Sequence, residues 1–276
     1  MLEPTRPNDC VGLLIVGHGT RDERGSAEFA RLTNAVAAMV PETIVEGCFL
    51  ELVEPDIPQG IQRAIDRGAR RLAVVPLLLV AAGHARRDIP QQIATAMARF
   101  PGVEIRQTQH LGSHPALLEV AKRRHLQALA RRAGVPVADT LLLVVGRGTK
   151  DPAANAELCS FARHRFEQTP VGWQETCFLA MTEPSLARAL NLVRQLSFSR
   201  VVIEPHFLFQ GELLDRVRKM VADVAAECSG KEFIVSERLG ADELLAEAII
   251  ELAGVRPSKT RRTAADHEDD NFSSKL

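Results

Sequence analysis

The 276-residue sequence has few cysteines and no pairing pattern among them: Cys10, Cys48, Cys159, Cys177 and Cys228 are scattered, with no C-x-x-C. That scatter argues against a disulfide framework, a zinc knuckle or a protein-held iron–sulfur cluster, and fits reduced thiols in a cytoplasm. An excess of one charge is also missing, with 34 Lys and Arg against 35 Asp and Glu. No broad basic field exists to attract nucleic acid, so recognition has to be local. Long apolar runs are absent too. No stretch approaches the roughly 20 apolar residues of a membrane span, and the N-terminus lacks a basic segment followed by a long apolar run. The expectation is a soluble, cytoplasmic protein with no membrane partner. After Val255 the chain reads "RPSKTRRTAADHEDDNFSSKL". Such a segment buries too little to offset its ordering entropy, so 255–276 is expected to be a disordered polar tail.

What the sequence does contain is an internal repeat. "LLIVGHGTRD" (13–22) aligns with "LLVVGRGTKD" (142–151), "CFLELVEP" (48–55) with "CFLAMTEP" (177–184), and "RLAVVPLLLV" (71–80) with "RVVIEPHFLF" (200–209). Gly17 and Gly146, Cys48 and Cys177, and Pro76 and Pro205 are all separated by 129 positions. A duplicated unit of somewhat over a hundred residues accounts for three ungapped blocks at one offset. The predicted division is 10–134 and 137–254, with "RAGVPVAD" (132–139) as the joint. Each unit alternates short β-branched and leucine-rich runs with amphipathic helical patterns, which predicts an α/β fold with a mainly parallel four-stranded sheet flanked by helices. Strands are expected near 11–17, 43–50, 71–79 and 103–108, and again near 139–146, 172–179, 199–206 and 231–236. Their almost continuous apolar character suits strands covered on both faces.

Ligands of such sheets bind beyond the carboxyl ends of the strands. There the first unit carries His18, Glu51 and His84. Two imidazoles and a carboxylate suit a divalent first-row metal, and equally suit a proton-accepting site. The second unit supports their acting together: at the same offset they become Arg147, Ala180 and Leu213, while Gly17, Gly19, Thr20, Asp22, Pro55 and Pro76 keep their counterparts. A trio lost jointly from a preserved scaffold reads as one functional group. Glu54 is the competing acid, but its counterpart Glu183 persists, which favours a structural role. Asp22 and Asp88 read as helix caps, His114 before Pro115 as a cap or turn residue, and His206, whose counterpart is Leu77, as structural.

"GHGTRD", "FLELVEP" and "VVPLLLVAAGHARRDIP" resemble the motifs of the sirohydrochlorin chelatases, the cobaltochelatase and ferrochelatase group, over residues 10–254. The resemblance implies the chelatase fold, two Rossmann-like halves facing across a cleft, and ATP-independent insertion of Co2+ or Fe2+, with Ni2+ a further candidate, into a tetrapyrrole in cobalamin or sirohaem biosynthesis. It implies that His18 and His84 are the active-site histidines, with Glu51 the accompanying acid and metal ligand. Only the first half keeps that pattern. A carboxylate-rimmed macrocycle needs cations at the cleft margin, and Arg21, Arg24, Arg86, Arg87 and, from the second half, Arg147 are the candidates. A duplicated chain can close its own cleft, so a monomer or small homo-oligomer is expected. The rival readings are a non-catalytic tetrapyrrole or metal carrier, and a histidine phosphatase-like enzyme. Against the latter, the residue before His18 is Gly17 where that chemistry needs an arginine.

Overall fold

The computed structural model describes residues 10–112, 114–130, 132 and 134–257, with His84 and Ala85 described by their backbone alone. Most of the expected tail lies outside the described residues. The first half contains β1 (Val11–Gly17), α1 (Glu23–Met39), β2 (Ile44–Phe49), α2 (Ile57–Asp66), β3 (Arg71–Pro76), α3 (Ile89–Arg99), β4 (Glu104–Gln107) and α4 (Pro115–Leu129). The second contains β5 (Thr140–Gly146), α5 (Pro152–Gln168), β6 (Trp173–Phe178), α6 (Leu186–Gln195), β7 (Arg200–Pro205), α7 (Glu212–Ala226), β8 (Glu232–Val235) and α8 (Glu243–Ala253). Each half forms one four-stranded sheet, ordered β2-β1-β3-β4 and β6-β5-β7-β8, with every pairing parallel. The registers match at the repeat offset: Val16 pairs with Cys48, and Val145 with Cys177.

The near-continuous apolar strands are explained by two-sided cover. Leu13 and Ile15 of β1 join a core with Leu32 and Val36 of α1, while Leu14 and Val16 join another with Ile57 and Ile61 of α2 and Ile93 of α3. In β5 the same alternation sends Leu141, Leu143 and Val145 towards α6 and α7, and Leu142 and Val144 towards Leu158 and Ala162 of α5. Asp22 and Asp151 cap α1 and α5, each accepting from a backbone N–H two residues on, and His114 caps α4 through Nδ1 at 3.2 Å. Asp88 does not cap: a π-turn over His84–Asp88 runs directly into α3, so the residue before α3 is already helical and its side chain makes no cap bond.

The last helix of each sequence half crosses to the other. Leu245, Ala246, Ile249 and Ile250 of α8 enter the core of β1, β3 and α1, whereas α4 packs on α5 and β7. A cut at 134–137 therefore separates the sheets but leaves each without one covering helix. No helix among the described residues is long and apolar enough to cross a membrane.

Candidate active site

The carboxyl ends of β1, β2 and β3 face those of β5, β6 and β7 across a cleft of about 910 Å³. This lies at the upper end of the range for small-molecule sites. Apolar side chains such as Phe49, Leu78, Phe178 and Phe209 form much of its wall, and Arg21, Arg87, Arg147 and Lys150 are its cationic lining.

His18 and Glu51 meet because the two strand exits run side by side. The Leu50 N–H donates to the Gly17 carbonyl at 2.9 Å, and the Glu51 N–H donates to the His18 carbonyl at 3.2 Å. Gly19 makes this approach possible: its φ is +99°, and a Cβ there would stand 1.9 Å from the Glu51 carbonyl oxygen. His18 Nδ1 then lies 3.5 Å from Glu51 Oε1, both side chains being partly exposed to the cleft.

Arg147 Nη1 lies 3.1 Å from His18 Nε2. These two residues are repeat counterparts, so the twin positions touch across the approximate twofold relation of the halves. For the guanidinium to donate, Nε2 must present its lone pair, which leaves the imidazole proton on Nδ1, towards Glu51. His18 is thus polarised between a cation and a carboxylate.

The backbone of His84 opens the π-turn, and residues on both sides of it, Ala82, Gly83, Arg87 and Asp88, line the same cleft. π-turns of this kind recur at functional sites because they redirect side chains within a helical run. The His84 side chain lies outside the described residues, and among the described residues no three His, Cys, Asp or Glu side chains are grouped to hold a metal.

The expected arginines divide into two groups. Arg21, Arg87 and Arg147 line the cleft. Arg24 instead bridges Asp22 at 2.7 Å and Asp215 of α7 at 2.8 Å, and its hydrogen bonds, reinforced by its charge, hold both carboxyls below the usual range. Arg86 lies 3.5 Å from Glu157 and 3.9 Å from Asp151, both in the second half. Both of these arginines therefore tie one half to the other. Glu54 is exposed and accepts from Gln59 at 3.4 Å, away from the cleft.

A CbiX family model matches residues 12–128 and matches again over 141–254. The chain belongs to the CbiX family. It is 34% identical over 229 residues to a sirohydrochlorin cobaltochelatase of Priestia megaterium, covering 83% of this chain and 74% of that one. To a sirohydrochlorin ferrochelatase of the same organism it is 30% identical over 237 residues, covering 86% and 87%. Among solved structures, SirB from Bacillus subtilis with Fe3+ superposes with a TM-score of 0.79 at 27% identity, over 89% of this chain and 94% of that one.

Two features of this CbiX chain escape motif reading. Lys150, the counterpart of Arg21, enters the cleft from the second half. A pair of reciprocal clamps also stands at the repeat offset. Glu28 of α1 accepts from the Gln210 N–H at 3.0 Å in the loop after β7, and Glu157 of α5 accepts from the Ala81 N–H at 2.8 Å in the loop after β3. Each helix thereby holds the other half's third-strand loop. The second partners differ: Glu28 pairs with Arg238, while Glu157 meets His110 Nε2 at 3.0 Å and Arg86. Burial alone would raise the Glu28 carboxyl, but the Arg238 and Gln210 bonds hold it below the usual range. The repeat offset carried the signal for both features, because it relates helix positions as well as strand ends.

Proposed function

We propose that this protein inserts Co2+ or Fe2+ into sirohydrochlorin or a closely related tetrapyrrole without ATP, as a step towards cobalamin or sirohaem. The observation that carries this reading is the meeting of His18, Glu51 and Arg147 at one point of an apolar-walled cleft with a cationic lining. The names of the relatives, cobaltochelatase and ferrochelatase, support the same reaction.

Metallation of a free-base macrocycle has to remove two pyrrole N–H protons while the metal sheds water. A neutral imidazole serves either need near pH 7. With its proton on Nδ1 facing Glu51, His18 keeps Nε2 as the reactive lone pair, and the carboxylate fixes the ring's orientation. Arg147 engages that lone pair in the free protein. A carboxylate on the macrocycle rim is a better partner for the guanidinium than a neutral nitrogen, because charge-assisted bidentate bonds are the stronger kind. Substrate entry then draws Arg147 away and exposes Nε2 to the metal or the pyrrole proton. His84, whose backbone opens the turn beside the cleft, is the second imidazole in this reading, and Arg21 and Arg87 are rim contacts for carboxylates. A single chain supplies both walls of the cleft, so a monomer in the cytoplasm suffices.

The test is to incubate the purified protein with metal-free sirohydrochlorin and Co2+, Fe2+ or Ni2+ in turn, following the absorption change. Turnover by the wild type, with a loss of at least about 100-fold in His18→Ala, is expected. Stoichiometric binding without acceleration over the protein-free rate would identify a carrier and reject the enzyme.

A further inference from the structure

The loop between β2 and α2 and the loop between β6 and α6 share one anomaly. Leu52 has φ of +73° and Met181 has φ of +66°, and they are the only non-glycine residues with positive φ among those described. They occupy the same place in the repeat. Left-handed backbone is costly for side chains of this size, and glycine or asparagine is the usual occupant. Neither side chain gains burial in return: Leu52 is 51% exposed and Met181 60%. Both line the cleft, one from each half.

A strained backbone that presents a large apolar group to open space is not explained by folding. Such outliers persist where they serve binding, and here the strain occurs twice, at equivalent repeat positions that both line one cleft. The rim cations account for carboxylate recognition and the apolar wall for part of the macrocycle's faces, but neither accounts for two exposed apolar side chains held on left-handed backbone. We propose that Leu52 and Met181 are paired substrate contacts that close on the apolar faces of the planar, carboxylate-rimmed macrocycle, one from each half. Unbranched Met adapts to a ring surface, and Leu supplies a fixed apolar contact. The pair persists in the second half although that half lost its imidazole and acid, because holding the ring needs both contacts whereas metallation needs one face. This inference rests on the proposed tetrapyrrole substrate.

Asparagine tolerates the left-handed region and removes the apolar contact, so Leu52→Asn, Met181→Asn and the double variant form the test. Macrocycle affinity is measured by fluorescence titration with metal-free sirohydrochlorin, KM for the macrocycle is measured at saturating Co2+, and thermal unfolding is followed in parallel. Each single variant is expected to weaken macrocycle binding by about five- to tenfold, with kcat within about twofold. The two effects should multiply in the double variant. Tm is expected to hold or rise, and Co2+ binding without macrocycle should be unchanged. A double variant with wild-type macrocycle affinity overturns the proposal, and so does a fall in Tm like that of a lost core residue, which would make these side chains structural. If wild-type protein binds no sirohydrochlorin at all, the proposed substrate is wrong instead.

Discussion

The two halves share a fold but have exchanged where they keep their polar residues. In the first half the layer behind the sheet is apolar, with Val36, Val40, Val75 and Leu77 in one core, and polar groups stand at the mouth as His18 and Glu51. In the second half the mouth carries Arg147 and Ala180, and the counterparts of those four apolar residues are Arg165, Thr169, Glu204 and His206. Arg165 is fully buried, pairing with Glu204 at 2.7 Å and donating to Thr169. A duplicated scaffold can thus carry a polar cluster on either side of its sheet. The cluster at the strand ends opens its polar groups to the cleft, whereas the second half's cluster is buried and reaches the cleft wall only through His206.

The largest expected effects come from the twin residues that touch. His18→Ala should lower the metallation rate by about 10²–10⁴-fold, the range for removing a group that transfers protons. Arg147→Ala should cost about tenfold, expressed as a raised KM for the macrocycle, because it removes a carboxylate contact and leaves the imidazole in place. It should also strengthen Co2+ binding in the absence of macrocycle, since a cation has left the reactive nitrogen. Equal losses in kcat from both variants would erase the distinction between the halves.

The buried ion pair gives the next test, read as stability. Glu204→Val strands the Arg165 charge and should destabilise by about 3–5 kcal/mol in denaturant titration. Arg165→Met combined with Glu204→Val, which approaches the apolar pattern of the first half, should recover most of that loss. The interior of the second half then becomes a variation on its sister's. Failure of the double variant to recover would mean that the polar cluster specifies the docking of α4 on α5 and β7, and is more than a substitute for apolar packing.

The clamps separate stability from activity. Glu28→Ala leaves Arg238 without its buried partner and should cost about 2–3 kcal/mol of stability. Glu157→Ala, in the more exposed clamp, should cost about 1 kcal/mol yet lower kcat by several-fold, because its loop carries His84. If Glu28→Ala at a permissive temperature impairs kcat as much as Glu157→Ala does, both loops are equally engaged in the reaction.

Much of this organisation was legible in the sequence. The 129-residue offset located the strands to within a few residues and singled out His18 and Glu51, because strand ends sit where apolar runs stop. The crossing of α4 and α8 was not legible, since helical periodicity says which face is apolar but not which sheet it covers. The ion pairs of Arg24 and Arg86 were not legible for a related reason: their partners Asp215 and Glu157 lie in the other half, and nothing local signals them. Glu28 and Glu157 passed as ordinary charges inside helices, although the offset pairs them. Leu52 and Met181 were hidden among apolar residues that normally read as core.

The effect that is smallest at neutral pH and grows on acidification concerns His206, the counterpart of Leu77. It packs on Phe161 with ring centroids 4.2 Å apart, and neither ring nitrogen has a hydrogen-bond partner among the described residues. Burial lowers its pKa to about 3, and burial together with Arg165 and Arg200 lowers that of His125 to about 4. In the unfolded chain both titrate near 6.5. Above that pH both are neutral whether folded or not, and they add no pH dependence. Below it the unfolded state binds protons that the folded state refuses, so stability falls with falling pH until the folded pKa values are reached. His206→Leu should therefore change stability by no more than about 1 kcal/mol at pH 8, but should gain about 2 kcal/mol relative to wild type by pH 5. Denaturant titrations at the two pH values check this. Part of the remaining slope of the variant belongs to His125, and its further reduction in a His125→Leu background would locate acid sensitivity of these two histidines in the layer where α4 packs on α5 and β7, behind the sheet of the half that lacks the proposed site.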